Sequence, residues 1–358
     1  MNSERNFPSK ILVTGGCGFL GSNIASHYVQ HGASVVVVDA LFRTGGQRNL
    51  DWLRGLAPSE KFEHIGGDLA DDEFVEGVFR DHGPFGYICH LGGQVAMTTS
   101  LSDPRRDMLT NVLGTFNILE AARAHSPDAL VAFSSTNKVY GDLEELSYDE
   151  IETRYVLSDF PNGFDELLPL DFASPYGCSK GAADQYVHDW YRNFGLRTVV
   201  FRHSSIYGGR QFSTFDQGWI GWFCRQAIEQ LEARRHDNQV SPFTIAGSGK
   251  QVRDVLHARD LISLYVAAYE RKDFVAGEVF NIGGGMENSL SLLELFALLA
   301  QLTDQAPLEF ERLPPRQSDQ KVFVADIGKA KEVLDWSPTV SSEHGIAEML
   351  QWVGDSIE

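Results

Sequence analysis

The sequence predicts an α/β protein, a doubly wound parallel sheet with a smaller C-terminal lobe, and three observations carry that expectation. A short apolar run, Ile11-Leu-Val-Thr-Gly15, ends in a glycine-rich turn and opens a helix. Strand-like and helical runs then alternate through residue 204, the pattern of parallel strands joined by crossover helices that cover both sheet faces. After Ser205 the alternation loosens into Gly208-Gly-Arg-Gln and the aromatic stretch Phe215 to Phe223, as a second, smaller lobe would.

The elements follow in order. After the first strand and turn, Ser22 to Gln30 reads as a helix and Ser34-Val-Val-Val-Val-Asp39 as the second strand. Phe62 to Asp68, Tyr87 to Gly93, Leu130 to Thr136 and Thr198 to Ser204 continue the strands, with helices over Asp71 to Asp81, Pro104 to Ala124 and Tyr176 to Phe194. His257 to Arg271 reads as a helix and Glu278 to Ile282 as a strand that returns to the sheet. The expected units are therefore 1–204, rejoined by about 255–285, and a lobe made of 205–254 and 286–358. Asp142 to Asp171 is acidic and reads as a solvated loop, placed after the fifth strand where it would suit a lid; Leu231 to Ser241 is polar and without period.

Composition narrows the function. At 358 residues the chain can bury a large core. Its formal net charge of -19 argues against a nucleic-acid or anionic-membrane surface, so an anionic ligand must be met by a few local arginines. Met1 to Lys10 has no apolar signal core, and no run approaches membrane-spanning length. Cys17, Cys89, Cys178 and Cys224 lack metal-ligand spacing and read as reduced thiols of a cytoplasmic protein without a metal site.

Two motifs carry chemistry. In Gly15-Gly-Cys-Gly18-Phe-Leu-Gly21 the glycines allow a tight turn, and the N–H groups of Phe19, Leu20 and Gly21 at the helix start suit a pyrophosphate. Asp39 lies where a carboxylate binds adenosine ribose hydroxyls and repels a 2′-phosphate, so NAD is favoured over NADP, with Arg43 and Arg48 as the opposing residues. This is the signature of a Rossmann-type unit. Tyr176 and Lys180, four apart on one helix, place a phenol and an ammonium on the same face. A neighbouring cation favours the phenolate and lets the tyrosine exchange a proton with an alcohol.

With Gly-x-x-Gly-x-x-Gly followed by Tyr-x-x-x-Lys, the chain resembles the extended short-chain dehydrogenase/reductase family of nucleotide-sugar epimerases and dehydratases. Gly67-Asp68, Leu91-Gly-Gly-Gln94, Asn111-Val-Leu-Gly-Thr-Phe-Asn117, Phe133-Ser-Ser-Thr136, Arg253-Asp254, and Arg316 with Asp319 match family motifs in order. The resemblance implies bound NAD held by Gly15, Gly18, Phe19, Leu20, Gly21, Asp39, Asp68, Leu69, Leu91, Gln94, Asn111, Tyr176, Lys180 and His203. It makes Tyr176 the proton-exchanging group, has Lys180 lower its pKa, and has Thr136 hydrogen-bond the reacting oxygen. Thr136, Asn137, Ser205, Arg210, Arg253, Arg316 and Asp319 are the implied substrate contacts. The bland alternatives are a structural Asn111, a core His203, and Trp219 and Trp222 as core rather than sugar platform.

The family's 4,6-dehydratases carry an Asp-Glu pair directly after the catalytic Thr; here Asn137 and Lys138 follow Thr136. The segments Ser134 to Asp142, Ser174 to Asp184, Phe201 to Gln211, Phe215 to Trp219 and Gly249 to Asp254 are similar to the CDP-paratose 2-epimerase (CDP-tyvelose epimerase) subgroup. Ser205 departs from the asparagine of many 4-epimerases. The implied function is NAD-dependent inversion of carbon 2 in a CDP-linked dideoxyhexose, in O-antigen biosynthesis, by a cytoplasmic homo-oligomer (dimer or tetramer). The alternatives are an NDP-sugar 4-epimerase, a dehydratase, or a non-catalytic NAD(P)-binding protein.

Overall fold

A computed structural model describes residues 7–357 other than 57, 59 and 316–319. The first half winds β1 (Lys10–Thr14), α1 (Phe19–Gln30), β2 (Ser34–Val38), α2 (Gly46–Leu56), β3 (Phe62–Ile65), α3 (Asp72–His82) and β4 (Tyr87–His90). There follow α4 (Met97–Ser102), α5 (Pro104–Met108), a π-helical stretch Leu109–Leu113, α6 (Gly114–His125), β5 (Leu130–Thr136) and α7 (Ser174–Phe194). Seven strands form one sheet in the order Glu278–Ile282, Arg197–His203, β5, β4, β1, β2, β3. Every pairing in it is parallel. The order reverses between β1 and β4, so a crevice opens past their carboxyl ends, where open α/β sheets bind ligands.

The sheet is buried because its strands are apolar on both faces. Val35 and Val37 of β2 join one core cluster with Ile11, Val13, Tyr28 and Phe201, while Val36, Val38, Leu12 and Ile88 join the other with Phe79 and Trp190. Glu278–Ile282 pairs with Arg197–His203, which brings the chain back to the sheet as the sequence suggests. No helix among the described residues is long and apolar enough to cross a membrane.

A third core cluster gathers Tyr207, Phe223, Phe243, Phe296, Leu299 and Met349 from the chain after Ser205. A small sheet centres on the strand Val252–His257, flanked by Ser289–Ser291, Val322–Phe323 and Ser205–Tyr207. Two expectations fail here. Helix Trp219–Arg235 runs into the stretch from Leu231 that reads as unstructured, because Gln230 and Arg234 find partners in residues 305–309. The acidic segment 142–171 is not a solvated loop. Leu143, Leu157 and Phe164 are buried with Phe323 and Val324 in a fourth core cluster, since an apolar residue every several positions gives the segment a hidden face.

Candidate active site

The glycine turn closes against the sheet by contact. Gly15 has φ +66, and a Cβ there would sit 2.8 Å from Gly92 at the end of β4; one at Gly21 would sit 2.2 Å from the Gly15 carbonyl. Only glycine allows both approaches. The α1 N-cap is Gly18, with no side chain on the free N–H groups of the first turn, so Phe19, Leu20 and Gly21 present bare donors to the crevice. Asp39, just past β2, accepts from the Cys17 N–H at 2.9 Å and the Leu41 N–H at 2.7 Å. Its carboxylate is thereby fixed beside the turn as an acceptor that fits ribose hydroxyls and repels an extra phosphate, while the bare N–H donors of the first turn fit a pyrophosphate.

Further along the cleft, Asp68 accepts from Arg106 at 2.6 Å and from the Ala70 N–H. Burial opposes the charge on Asp68, but the Arg106 bond prevails and holds its carboxyl below the usual range. The Leu69 carbonyl accepts from Asn117, and Leu91 and Gly92 hang on Thr14 through its carbonyl and hydroxyl.

Asn111 ties the cofactor loop to α7. Its side-chain oxygen accepts from the Gln94 N–H at 2.8 Å, and its amide donates to the Gln94 carbonyl at 3.0 Å and to Ser179 Oγ at 2.9 Å. With these bonds made inside the protein, the structural reading of Asn111 is the one the geometry favours. The π turn aims it: the Asn111 carbonyl is free to accept from Thr115 Oγ1 at 2.6 Å.

Tyr176 and Thr136 meet at the crevice mouth, where the Thr136 hydroxyl hydrogen-bonds the phenol. Burial pushes the Tyr176 phenol up to about 12; Thr136 and Arg43 draw it back and Asp107 pushes it further. Lys180 is fully enclosed, and burial brings its ammonium down to about 7 against the pull of Asp184 and Asp107. Its Nζ donates to the Ser134 carbonyl at 2.6 Å and lies 4.1 Å over the Phe133 ring. The Lys180 side chain thus reaches toward β5 from the helix it shares with Tyr176. His203, at the end of its strand, meets Ser134 Oγ at 3.2 Å and keeps a buried, unpartnered Nε2. Burial, then the Lys180 charge, lowers it to about 3, so it is neutral.

The described substrate candidates lie on several separate segments. Asn137 is buried, donating to Gln320 Oε1 at 3.0 Å, while Gln320 donates to the Gly141 carbonyl at 2.7 Å. Ser205 accepts from the Trp219 indole at 3.1 Å. Arg210 stacks 4.1 Å over Trp52 of α2, and its carbonyl accepts from Asn49, so this side chain lies against the cofactor domain. Arg253 lies on the strand Val252–His257, with Nη1 donating to the Val252 carbonyl. Arg316 and Asp319 lie outside the described residues.

Sequence reasoning missed three supports. Asp107 is buried, accepts from Gln94 at 2.8 Å, and is raised by burial despite hydrogen bonds from Ser179 and Gln94. It stands four residues before Asn111 on the same helical face, a signal that was available. Arg202 and Asp184 form a buried fork, with Ser135 and Tyr140 as further partners. Asp184 follows Lys180 by four, again on one face. Gln320 gave no signal, since its partners lie far off in sequence.

A glycine cradle at a sheet switch point beside a buried Tyr–Thr–Lys set defines the extended short-chain dehydrogenase/reductase class. The chain belongs to the GDP-mannose 4,6-dehydratase family, whose model matches residues 12–349. It is 53% identical over 343 residues to the CDP-paratose 2-epimerase of Salmonella typhi, covering 96% of this chain and 98% of that protein. Among solved structures it resembles the UDP-glucose 4-epimerase of Thermotoga maritima with UDP-glucose: TM-score 0.80, 28% identity, 98% of this chain and 100% of that one. It also resembles the UDP-glucuronic acid 4-epimerase of Bacillus cereus in complex with UDP-glucuronic acid and NAD: TM-score 0.78, 26% identity, 97% of this chain and 99% of that one.

Proposed function

We propose that this chain is an NAD-dependent epimerase that interconverts CDP-paratose and CDP-tyvelose by inverting carbon 2. The 53% identity to a CDP-paratose 2-epimerase along nearly the whole chain carries the reading. The geometry supports it at one decisive place. The residue after Thr136 is a neutral amide already bonded to Gln320, so no acid stands there to drive loss of water.

When bound, NAD supplies the acceptor for the hydrogen on carbon 2 and the source of its return. The chain does the rest. Tyr176 takes the sugar hydroxyl's proton and later restores it, and Thr136 hydrogen-bonds the oxygen as it changes between alcohol and ketone. Paratose and tyvelose differ at carbon 2 only, and a ketone at carbon 4 would not acidify the hydrogen there because carbon 3 lies between. Oxidation at carbon 2 itself is the route left. Arg253, with Arg316, holds the diphosphate while the 2-keto sugar turns to present its other face.

Phe116, Tyr186 and Phe194 form an exposed aromatic face on α6 and α7 with Trp190 between them, and this face is assigned to a second copy of the chain in a homo-oligomer. The four cysteines are free, consistent with work in the reducing cytoplasm on a sugar destined for O-antigen. The test is conversion of CDP-paratose set against UDP- and dTDP-linked sugars, with the cofactor released by denaturation and identified. Turnover of UDP-glucose to UDP-galactose with CDP-sugars inert would replace this reading by the 4-epimerase one. Mostly NADP in the supernatant would overturn the cofactor assignment.

A further inference from the structure

Segment 142–171 leaves the catalytic strand just after Gly141 and returns immediately before the Tyr176 helix. Its neck is closed: the Asp171 N–H donates to the Val139 carbonyl at 3.0 Å, and a Cβ on Gly141 would lie 2.6 Å from the Asp171 carbonyl. Its far end is gripped by the chain after Ser205. Arg154 Nε donates to Glu294 Oε1 at 2.7 Å and a second nitrogen bonds the other carboxylate oxygen, a two-pronged pair. The same guanidinium donates to Ser289 Oγ and to the Ser289 carbonyl, each at 3.0 Å. Thr153 adds a bond to Glu294 at 2.8 Å.

These partners are not scattered. Ser289 stands opposite Asp254 and Leu290 opposite Arg253 in the antiparallel pairing of the small sheet. The Tyr155 N–H donates to the Lys250 carbonyl at 3.0 Å, just before the strand Val252–His257 begins. The Phe164 N–H donates to the Val324 carbonyl at 2.8 Å, just past Val322–Phe323, the strand on the other side of Arg253. The segment therefore fastens the Arg253 strand and the strand on each side of it. Glu294 is also the capping-box residue of helix Leu292–Leu302, so its carboxylate is fixed before Arg154 arrives. Burial works against its charge, yet the Arg154, Ser291 and Thr153 bonds outweigh it and keep Glu294 ionised.

We infer that Arg154 is a positioning residue for nucleotide binding: it locks the 142–171 segment onto Ser289 and Glu294 and so holds the Arg253 strand in its diphosphate-gripping geometry before substrate arrives. This rests on the reading of Arg253 as a diphosphate contact in the proposed function. Ordering done in advance is ordering that binding does not have to supply, so its loss appears in affinity and not in the chemical step.

The experiment compares Arg154→Met, Arg154→Lys and Glu294→Gln with the full wild-type chain, using whichever nucleotide-sugar the wild type converts. Arg154→Met is expected to raise KM about tenfold, with kcat within about twofold and NAD content unchanged. Binding of CDP alone, by calorimetry, should weaken by the same factor. Arg154→Lys keeps the charge but loses the fork, and should fall between. Glu294→Gln combined with Arg154→Met should be no worse than Arg154→Met alone. An unchanged KM in a folded Arg154→Met, or a lower melting temperature with wild-type KM and CDP affinity, overturns the inference. So does a fall in kcat at constant KM. Should Arg154→Met fail to fold, Arg154→Lys with a wild-type KM has the same force. A wild type that converts UDP-sugars would sink the proposed function, while the KM shift on that sugar would still decide this one.

Discussion

Tyr176 sits in a pocket where burial pushes the phenol up to about 12, so taking the sugar hydroxyl's proton requires its phenolate to be stabilised by a neighbouring positive charge during turnover. Removing only that oxygen should stop the chemistry and spare binding. Tyr176→Phe is expected to lower kcat by about 10²–10⁴ with nucleotide-sugar affinity nearly intact, measured by steady-state kinetics and calorimetry. Near-normal turnover would place the proton exchange elsewhere. Lys180→Met is expected to be as severe and also to lower the NAD recovered from denatured protein. The Tyr176–Lys180 pair, Asp39 and the glycines could be picked out from short-range spacing, while Thr136 came only from the resemblance of Phe133-Ser-Ser-Thr136 to the family. Asn111 was legible as a residue but not as a hub, since its partners come from the chain after β4 and from α7.

At the scale of elements, the strands were the clearest. Leu130–Thr136 and Glu278–Ile282 fall at the expected boundaries, because a strand buried on both faces is a bare apolar run between turns. The 142–171 segment was not legible, because what makes it a strap rather than a loop is Arg154 meeting Glu294. The strand Val252–His257 brings in a buried carboxylate with a testable cost. Asp254 accepts from the Gly285 and Ala325 N–H groups, joining three segments, while its other oxygen has no partner. Burial raises its carboxyl to about 6. Its folded pKa lies above the unfolded value, so its contribution to stability is full below about pH 4 and is lost as pH rises through about 6. In urea unfolding, Asp254→Asn should remove a decline of about 3 kcal/mol between pH 4 and pH 7 relative to wild type. An identical pH slope in the two proteins would contradict it.

Over the whole molecule, the fold leaves an aromatic face on α6 and α7 exposed. If that face pairs with a second copy, Phe116→Asp should convert the sedimenting species to monomer while the far-ultraviolet circular dichroism stays unchanged; an oligomer of unaltered mass would show the face is not the interface. The architecture and the class of chemistry could both be read from motif order. The neutral Asn137 beside Thr136 argues against loss of water, the choice of carbon rests on the 53% identity to a CDP-paratose 2-epimerase, and one measurement reaches it directly. CDP-paratose deuterated at carbon 2 is converted in ordinary water, the same sugar unlabelled is converted in heavy water, and both products are read by NMR. Inversion by oxidation at carbon 2 predicts CDP-tyvelose that keeps the label in the first case and takes up none in the second. Loss of the label to solvent, or entry of solvent deuterium at carbon 2, would contradict it.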